Sequence, residues 1–401
     1  LILGFLTLNI NNFKWINSSL GHKVGDAVII EVAERLNNVA TKHIHLYRSS
    51  GNDFFIVLNA QDYQSISEFA NKVLQLVCQP IQVELHQVEL DATIGIALAP
   101  FDGKCYEELR RKSHTALSRT KLDQGSGYQF FEIEMENYFK ERHALLQALK
   151  QATENNEFEL FYQPKVRLFD EKIVGAEALI RWRRDNSIVS PADFIPLAEE
   201  SGLINEMGRW ALEQACADCK VWHRLGHTKM SVAVNLSPIQ FKRGNLPYIV
   251  RQSLKRSELF PSFLELEITE SLFIDDATSI QGQLHEIASK GTTIAIDDFG
   301  TGYSNLNYLN KFNASILKID MSFVMDMLES DRNLHMVDAI IQMSRTMELE
   351  NIAEGVENKE TAEQLKKLGC TYGQGYYWSK PLPQDQFIQL LDQQVTTSVN
   401  S

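Results

Sequence analysis

The feature that most constrains the fold of this chain is a regular alternation of short apolar runs with helical segments in its second part. Eight apolar runs are separated by amphipathic segments of helical period, and they occupy residues 158–166, 173–182, 231–236, 264–269, 293–297, 316–319, 351–355 and 372–378. Eight strands that alternate with helices over about 250 residues are typical of a (β/α)8 barrel. The sequence therefore predicts an α/β chain whose second domain is a TIM-like barrel.

The first 132 residues show a different pattern, in which short β-type runs mix with helical segments. The spacing of apolar residues predicts strands at 5–10, 45–47, 54–58 and 90–97, and helices at 26–37 and 65–79. We expect an α/β sandwich with an antiparallel sheet. A turn cluster at 123–127, a strand at 128–131 and a charged helical segment at 134–155 follow. We therefore divide the chain into a sandwich (1–132), a connecting helix (133–155) and a barrel domain (156–398).

Charge excludes one class of partner. The chain has 39 Lys and Arg against 52 Asp and Glu, which gives a net charge of −13. Residues 1–133 carry 12 basic and 14 acidic side chains, so most of the acidic excess lies in the second part. Proteins that bind long nucleic acid without sequence preference neutralise phosphates with a basic face. We expect no such binding here.

The five cysteines are scattered and odd in number, which favours reduced thiols and a cytoplasmic location. Cys216 and Cys219 have the spacing of a metal or redox pair, but they lie in a helical run without a second pair, so we interpret them as thiols of the core and surface. No apolar run approaches the roughly 20 residues that cross a bilayer. The chain lacks an initiator Met, so we expect a fragment of a longer protein that has room for an N-terminal sensor or membrane segment.

Polar side chains stand at or near the C-terminal ends of the predicted barrel strands: Glu177, Arg181, Asn235, Glu267, Glu270, Asp297, Asp298, Lys318 and Glu354. These ends converge on the face of a barrel where catalysis occurs. The period of two in a strand places Glu265 and Glu267 together toward the barrel axis. Oxygen ligands without His or Cys favour Mg²⁺ or Mn²⁺. For any single carboxylate a salt bridge is the alternative, and for Lys318 the alternative is a structural pair with Asp, but six strand ends repeat the pattern.

Nine motifs in the second part resemble those of the EAL-domain phosphodiesterases of cyclic di-GMP, over residues from about 140 to 395. They are Tyr162-Gln-Pro-Lys165, Glu177-Ala-Leu179, Phe194-Ile-Pro-Leu-Ala-Glu-Glu-Ser-Gly202, Asn235-Leu-Ser237, Glu267-Ile-Thr-Glu270, Asp297-Asp-Phe-Gly-Thr-Gly-Tyr-Ser304, Leu317-Lys-Ile-Asp320, Ala353-Glu-Gly-Val-Glu357 and Gly373-Gln-Gly-Tyr376. The resemblance implies a barrel whose first strand runs antiparallel, metal-dependent hydrolysis of cyclic di-GMP to linear pGpG, and a homodimer formed through this domain.

The same resemblance implies a role for each matching residue. Metal ligands would be Glu177, Asn235, Glu267 and Asp297, with Asp298 helping to hold a second Mg²⁺ or Mn²⁺ ion. Lys318 would orient or activate the attacking water, and Glu354 and Glu177 would complete the catalytic set. Gln163, Arg181, Asp298 and Gln374 would lie on the substrate side, and Glu270 would anchor the loop after Asp297. A non-hydrolysing receptor and a scaffold are the alternatives, but receptors in the family typically lose metal or base residues, and none is lost here.

Six short motifs occur in residues 1–132: Phe13-Lys14, Ile16-Asn17, Gly21-His22, Gly25-Asp26, Val32-Ala-Glu-Arg-Leu36 and Thr93-Ile-Gly-Ile96. They resemble those of a GGDEF domain, the diguanylate cyclase module, and this resemblance implies a sandwich of the nucleotidyl-cyclase type. The signature loop reads Ser50-Gly-Asn-Asp-Phe54, and at the two metal-ligand positions, Asn9 and Asn52, a carboxylate has become a neutral amide. We expect no cyclase activity. The inhibitory-site motif would align with Thr41 and Ile44 and is absent. Asn17 and Asp26, which align with guanine contacts, leave regulatory GTP binding open, beside a purely structural role in a loop and helix cap.

Overall fold

The computed structural model describes residues 2–41, 43–49, 51–83, 86–122, 126–185, 187–242, 245–273, 277–300 and 313–399. The chain divides into two compact units, Leu1–Ala144 and Leu145–Ser401. Each unit has its own hydrophobic core. Within the described residues, no helix combines the length and apolar character needed to cross a membrane.

The first unit is built on a five-stranded sheet in the order β2-β3-β1-β6-β7, with a separate hairpin formed by β4 and β5. The strands are β1 (Ile2–Ile10), β2 (Ile44–Arg48), β3 (Asp53–Ala60), β4 (Ile81–Val83), β5 (His86–Val88), β6 (Ala92–Ala99) and β7 (Gly127–Phe130). The helices are α1 (Phe13–Leu20), α2 (His22–Asn37), α3 (Tyr63–Val77) and α4 (Tyr106–Leu122). This confirms the predicted α/β sandwich.

The sheet is antiparallel except at one edge, where β6 and β7 are parallel. The exception arises because α4 connects these two strands, and a crossover helix returns the chain in the same direction. The central strand β1 is buried on both faces: Leu6 and Leu8 pack in the larger core, and Phe5 packs with Phe55 and Leu109 on the other face. This fixes Asn9 near the end of β1, paired with Asp53 of β3.

The second unit contains the predicted alternation of strands and helices. Its strands are β8 (Phe158–Arg167), β9 (Lys172–Arg184), β10 (Ser187–Val189), β11 (Ser231–Leu236), β12 (Leu264–Thr269), β13 (Thr293–Phe299), β14 (Ile316–Ile319), β15 (Glu350–Ala353), β16 (Tyr372–Gly373) and β17 (Leu382–Pro383). Its helices are α5 (Ile133–Ala152), which begins in the first unit, α6 (Pro191–Ser201), α7 (Ile204–Arg224), α8 (Pro238–Phe241), α9 (Leu246–Ser257), α10 (Ala277–Ala288), α11 (Met321–Val324), α12 (Asp331–Thr346), α13 (Lys359–Leu368) and α14 (Gln384–Val399).

Eight strands close into a barrel. Strands β9 and β11 to β16 are parallel neighbours, and β8 pairs antiparallel with both β16 and β9. Both the predicted barrel and its reversed first strand are therefore confirmed. The eighth strand is shorter than the predicted 372–378, because the Trp378 N–H donates to Gly375 O and turns the chain after Gly373.

The barrel interior is polar at its centre, and the apolar side chains of the strands pack outward. On β12, Leu264, Leu266 and Ile268 are at most 1% exposed and belong to the large core beneath the helices. The alternate residues Glu265 and Glu267 are buried on the opposite face of the same strand. The outward aliphatic face is what holds these acids inside the barrel.

Candidate active site

Lys318 is the centre of the polar interior. It is 0% exposed, on the buried strand β14. Its Nζ lies 2.8 Å from Glu267 Oε2, 2.8 Å from Glu354 Oε1, 3.1 Å from Asp297 Oδ1 and 3.7 Å from Glu177 Oε2. Four carboxylates from β9, β12, β13 and the end of β15 thus meet around one ammonium group, as the strand-end pattern predicted.

Side-chain amides hold Glu177 on both of its oxygens. Asn235 Nδ2 donates to Glu177 Oε1 at 2.6 Å, and Gln374 Nε2 donates to Glu177 Oε2 at 2.6 Å. Gln374 Nε2 also lies 3.2 Å from Gln163 Oε1. The structure therefore brings the predicted residues Asn235, Gln163 and Gln374 into one network with Glu177.

Asp297, Asp298 and Glu354 form an acidic group whose carboxylate oxygens lie within 4.8 Å of one another. Adjacent strand residues point in different directions, which is why the sequence predicts separate ions for the two aspartates. In the structure the register shifts between Ile296 and Phe299, and Asp298 adopts a φ of 54°, which brings its carboxylate close to that of Asp297. The Asp298 N–H also donates to Asp297 Oδ1 at 2.9 Å. The two aspartates therefore share one site with Glu354.

Burial and repulsion between carboxylates raise the pKa values of some of these groups, whereas the buried lysines lower the pKa of Glu267. Burial raises the pKa of Glu354 to about 8, against the opposing effect of Lys318. Burial and the Glu267 charge likewise raise the pKa of Glu177. Burial alone would raise the pKa of Glu267 as well, but Lys165 and Lys318 together lower it to about 2. The surrounding carboxylates outweigh burial at Lys318 and raise its pKa well above the usual value, so its ammonium stays charged.

The donor set fits a hard divalent cation. The predicted ligands Glu177, Asn235, Glu267, Asp297 and Asp298 offer carboxylate and amide oxygens. Among the described residues, the carboxylates of Asp297, Asp298 and Glu354 are close enough together to hold one ion. Mg²⁺ and Mn²⁺ prefer such oxygen ligands. Several carboxylates cannot remain ionised together in a buried site without added positive charge, so a divalent ion suits this group of donors.

Glu270 lies just outside this centre, at the start of a single 3₁₀ turn, Glu270–Phe273. Its Oε2 accepts the Gly300 N–H at 3.3 Å, so it contacts the first residue after β13. Its Oε1 is buried without a hydrogen-bond partner among the described residues. The rest of the predicted loop motif, 301–304, lies outside the described residues, as does Ser50 of the first unit.

A cavity of about 460 Å³ is lined by Arg181, Ser237, Glu199 and Asn235, the residue that donates to Glu177, together with apolar side chains of α6 and α7. The half-buried Arg181 guanidinium lies over the Phe161 ring and donates to Ile180 O. Sequence reasoning missed Ser237 and Glu199, which share a hydrogen bond of 2.7 Å. Glu199 lies in the motif at 194–202 and Ser237 in the motif Asn235-Leu-Ser237. Their place in these motifs is the feature of the sequence that could have pointed to them.

In the first unit, the two substituted positions are occupied by contacts between protein groups. Asn9 Nδ2 donates to Asp53 Oδ1 at 2.5 Å, and Lys121 Nζ donates to Asn9 Oδ1 at 2.6 Å. Asn52 Nδ2 donates to Ile10 O at 2.6 Å. Asn17 lies against Gly25, where an added Cβ would come within 2.0 Å of Asn17 Oδ1, and the exposed Asp26 follows directly.

Comparison with known proteins gives two family matches. The EAL domain model matches residues 146–381, and the model for the diguanylate cyclase GGDEF domain matches residues 2–126. The bifunctional diguanylate cyclase/cyclic di-GMP phosphodiesterase MucR of Pseudomonas aeruginosa is 39% identical over 385 residues, covering 96% of this chain and 56% of that protein. The cyclic di-GMP phosphodiesterase NbdA of the same organism is 34% identical over 382 residues, covering 95% and 49%.

Solved structures show the same likeness. The structure titled "PaMucR Phosphodiesterase, c-di-GMP complex" is 41% identical with a TM-score of 0.59, and the match covers 61% of this chain and 99% of that one. The EAL enzyme Bd1971, in its form with cAMP and cyclic di-GMP bound, is 30% identical with a TM-score of 0.61, covering 85% and 82%. The chain spans about half the length of the curated relatives it matches.

Proposed function

This chain belongs to the EAL-domain family as a tandem GGDEF–EAL protein, and we propose that its barrel hydrolyses cyclic di-GMP to linear pGpG with two Mg²⁺ or Mn²⁺ ions. The observation that carries the proposal is the meeting of Glu177, Glu267, Asp297 and Glu354 around Lys318. This group of carboxylates around a lysine supports metal-dependent hydrolysis, and Asn235, which donates to Glu177, also lines the cavity that contains Arg181.

The residues of the site would have three roles: they hold metal ions, orient the attacking water and bind the substrate. Glu177, Asn235, Glu267, Asp297 and Asp298 would hold the ions. When bound, such ions lower the pKa of water and neutralise phosphate oxygens. Arg181 and Gln163 lie on the substrate side, where a guanidinium can pair with a phosphate through two hydrogen bonds.

Lys318 and Glu354 handle the attacking water. The Lys318 ammonium donates a hydrogen bond that orients the water or a phosphate oxygen. The Glu354 carboxylate, beside Asp297 and Asp298, can accept a proton from the attacking water. Gln374 acts on this step indirectly, because it fixes Glu177 and Gln163.

The experiment is an incubation of the purified chain with cyclic di-GMP and Mg²⁺ or Mn²⁺, scored by chromatography for linear product and for retained dinucleotide. We expect pGpG from the wild type and none from Glu177→Ala. Glu286→Ala, which removes an exposed carboxylate on α10, is the matched control and should keep full activity. Retention of intact cyclic di-GMP without product would identify a non-hydrolysing receptor, and absence of both would identify a scaffold.

We also propose that the first unit is a degenerate GGDEF domain that makes no cyclic di-GMP and binds GTP as a regulatory ligand. Lys121 Nζ lies 2.6 Å from Asn9, so an ammonium contacts a position where the family holds a cation. Two amides in place of carboxylates weaken Mg²⁺ binding beside a triphosphate. Synthesis of cyclic di-GMP from GTP would contradict the first clause. Calorimetric titration with GTP tests the proposed regulatory binding. A heat of binding in the wild type that Asn17→Ala abolishes supports it. If the wild type gives no heat of binding, Asn17 and Asp26 have a structural role.

The barrel domain is proposed to form a homodimer in the cytoplasm. Four large apolar side chains on or near α11 and α12 are exposed: Met321 (49%), Met325 (43%), Leu328 (49%) and Met336 (38%). Met321 and Met325 lie against Gly355, the residue after Glu354, so a partner packed here would contact the edge of the site. Light scattering should show a dimer for the wild type and a monomer with reduced activity for Met325→Glu. Full activity in a monomeric Met325→Glu would argue against a role for the dimer.

The five cysteines are free thiols, in keeping with a reducing compartment.

A further inference from the structure

Lys165 is a second buried lysine in the barrel, and the reaction outlined above assigns it no part. It lies on β8, two residues beyond Gln163, and is 3% exposed. Because β8 runs antiparallel, this step along the chain leads away from the catalytic ends of the other strands. Lys165 therefore approaches the interior carboxylates from the N-terminal ends of the parallel strands.

Its ammonium contacts two glutamates of β12, a strand that does not pair with β8 and lies across the barrel interior from it. Lys165 Nζ lies 2.6 Å from Glu265 Oε1 and 2.7 Å from Glu267 Oε1. Glu267 Oε2 accepts from Lys318 Nζ at 2.8 Å. Glu267, 0% exposed, is therefore held by one lysine on each oxygen, and its carboxylate plane cannot rotate without breaking an ion pair.

We propose that Lys165 is a positioning residue for the metal centre: by holding Oε1 of Glu267, it turns Oε2 toward Lys318, Asp297 and Glu354. A carboxylate oxygen has two lone pairs, so Oε2 can accept from Lys318 and still offer a lone pair to a cation. Glu265 holds Lys165 in place from the far side and is itself no ligand. The inference rests on the proposed metal site, and it extends that site to a residue pair beyond the ligands.

Charge explains why such a pair is needed. Five carboxyl groups, those of Glu177, Glu265, Glu267, Asp297 and Glu354, share the interior with the ammonium groups of Lys165 and Lys318. The Lys318 ammonium forms ion pairs with four of these carboxyls. Without Lys165, the fifth carboxyl, that of Glu265, would have no ammonium partner among the described contacts. Removing one partner of a buried ion pair is strongly destabilising because a buried charge is left uncompensated. Loss of Lys165 alone therefore disturbs both folding and Glu267.

The test separates these two effects with three variants. Lys165→Met removes the ammonium but leaves Glu265 charged. Lys165→Met/Glu265→Gln removes both charges of the outer pair, so it retains stability better while Glu267 still loses its Oε1 partner. Arg183→Met is the matched control: it breaks an exposed ion pair with Glu159, at 2.7 Å, on the same two strands β8 and β9.

Calorimetric titration with Mn²⁺ alone is the principal measurement, beside thermal unfolding and hydrolysis of cyclic di-GMP. Partners that orient metal ligands typically contribute 10–100-fold to metal affinity, so we expect the Mn²⁺ Kd of the double variant to rise about 10–100-fold. Saturating Mn²⁺ should restore most of its activity. Arg183→Met should bind Mn²⁺ as the wild type does.

A double variant that folds and binds Mn²⁺ with the wild-type Kd would overturn the proposal and leave Lys165 as a structural ion pair. A double variant that fails to fold while Lys165→Met folds and binds Mn²⁺ normally would overturn it too. The proposed reaction fails independently: if the wild type binds Mn²⁺ but makes no pGpG, weaker Mn²⁺ binding by the double variant still supports the role of Lys165.

Discussion

The Lys318 ammonium and the Glu354 carboxylate lie 2.8 Å apart in the buried centre of the barrel, although the pKa of Glu354 is raised to about 8. The lysine alone does not offset the burial of this acid among other carboxylates. Positive charge beyond that of Lys318 is therefore needed before the whole group can ionise at neutral pH, and a divalent cation supplies it.

The first prediction concerns pH. The Glu354 carboxyl has an ordinary pKa of 4.5 and a folded-state pKa of about 8, so the folded protein binds the extra proton between these values. The stability of the metal-free protein should therefore fall as the pH rises through this window. Mn²⁺ must displace the same proton, so its affinity should increase from pH 6 to about pH 8. Titrations in buffers of different ionisation enthalpy measure the released proton, and Glu354→Gln should release less.

Lys318→Met should lower both the stability of the metal-free protein and its activity, and each effect is measured on its own. Loss of the ammonium leaves four carboxylates without their shared partner, so we expect the metal-free variant to lose about 3–5 kcal/mol of unfolding free energy. Activity should fall about 100–10,000-fold, the usual contribution of a group that moves or orients a proton. Mn²⁺ should raise the Tm of this variant more than that of the wild type. Equal shifts in Tm would show that Lys318 does not compete with the metal for the carboxylates.

Gln374→Leu should weaken the metal site through Glu177. The variant removes the amide that donates to Glu177 Oε2 at 2.6 Å, and an orienting partner of this kind is worth about 10–100-fold in metal affinity or activity. The Mn²⁺ Kd and the kcat measure the effect. Gln342→Leu, which removes an exposed amide on α12, is the control. A change in KM alone would instead assign Gln374 to substrate binding.

Glu270 should act through its hydrogen bond with Gly300. A hydrogen bond to a charged group is worth about 1.5–3 kcal/mol, so Glu270→Ala should lower kcat/KM about 10–100-fold. Glu270→Gln keeps an acceptor oxygen and should retain more activity than the alanine variant. If both variants behave alike, the contact with Gly300 does not contribute to the site.

The sequence predicts the barrel well because its signals are local. The outward Leu264, Leu266 and Ile268 and the inward Glu265 and Glu267 follow directly from the strand period. The shared site of Asp297 and Asp298 does not follow, because it depends on a positive φ at Asp298 and a register shift that no periodicity encodes. The parallel edge between β6 and β7 was missed in a similar way, since it follows from a crossover helix.

Lys165 illustrates a further limit. The sequence signal was the same as for Lys318, a lysine within an apolar strand, but strand direction decides what each lysine contacts. Lys318 comes from a parallel strand, and Lys165 comes from the reversed first strand. The two therefore reach Glu267 on different oxygens, which only the closed barrel shows.

The reversed first strand also decides where the barrel is entered. Phe158, the first residue of β8, pairs with Trp182 near the C-terminal end of β9, so the polypeptide arrives at the rim that carries the catalytic loops. Glu157 joins that rim directly, because its carboxylate accepts from Trp182 Nε1 at 2.8 Å and its carbonyl accepts from Arg183 N. The incoming segment is therefore anchored to the rim by hydrogen bonds. The turn between β8 and β9, where Phe169 is 81% exposed, lies at the opposite end of these strands and is a place to attach a reporter away from the catalytic rim.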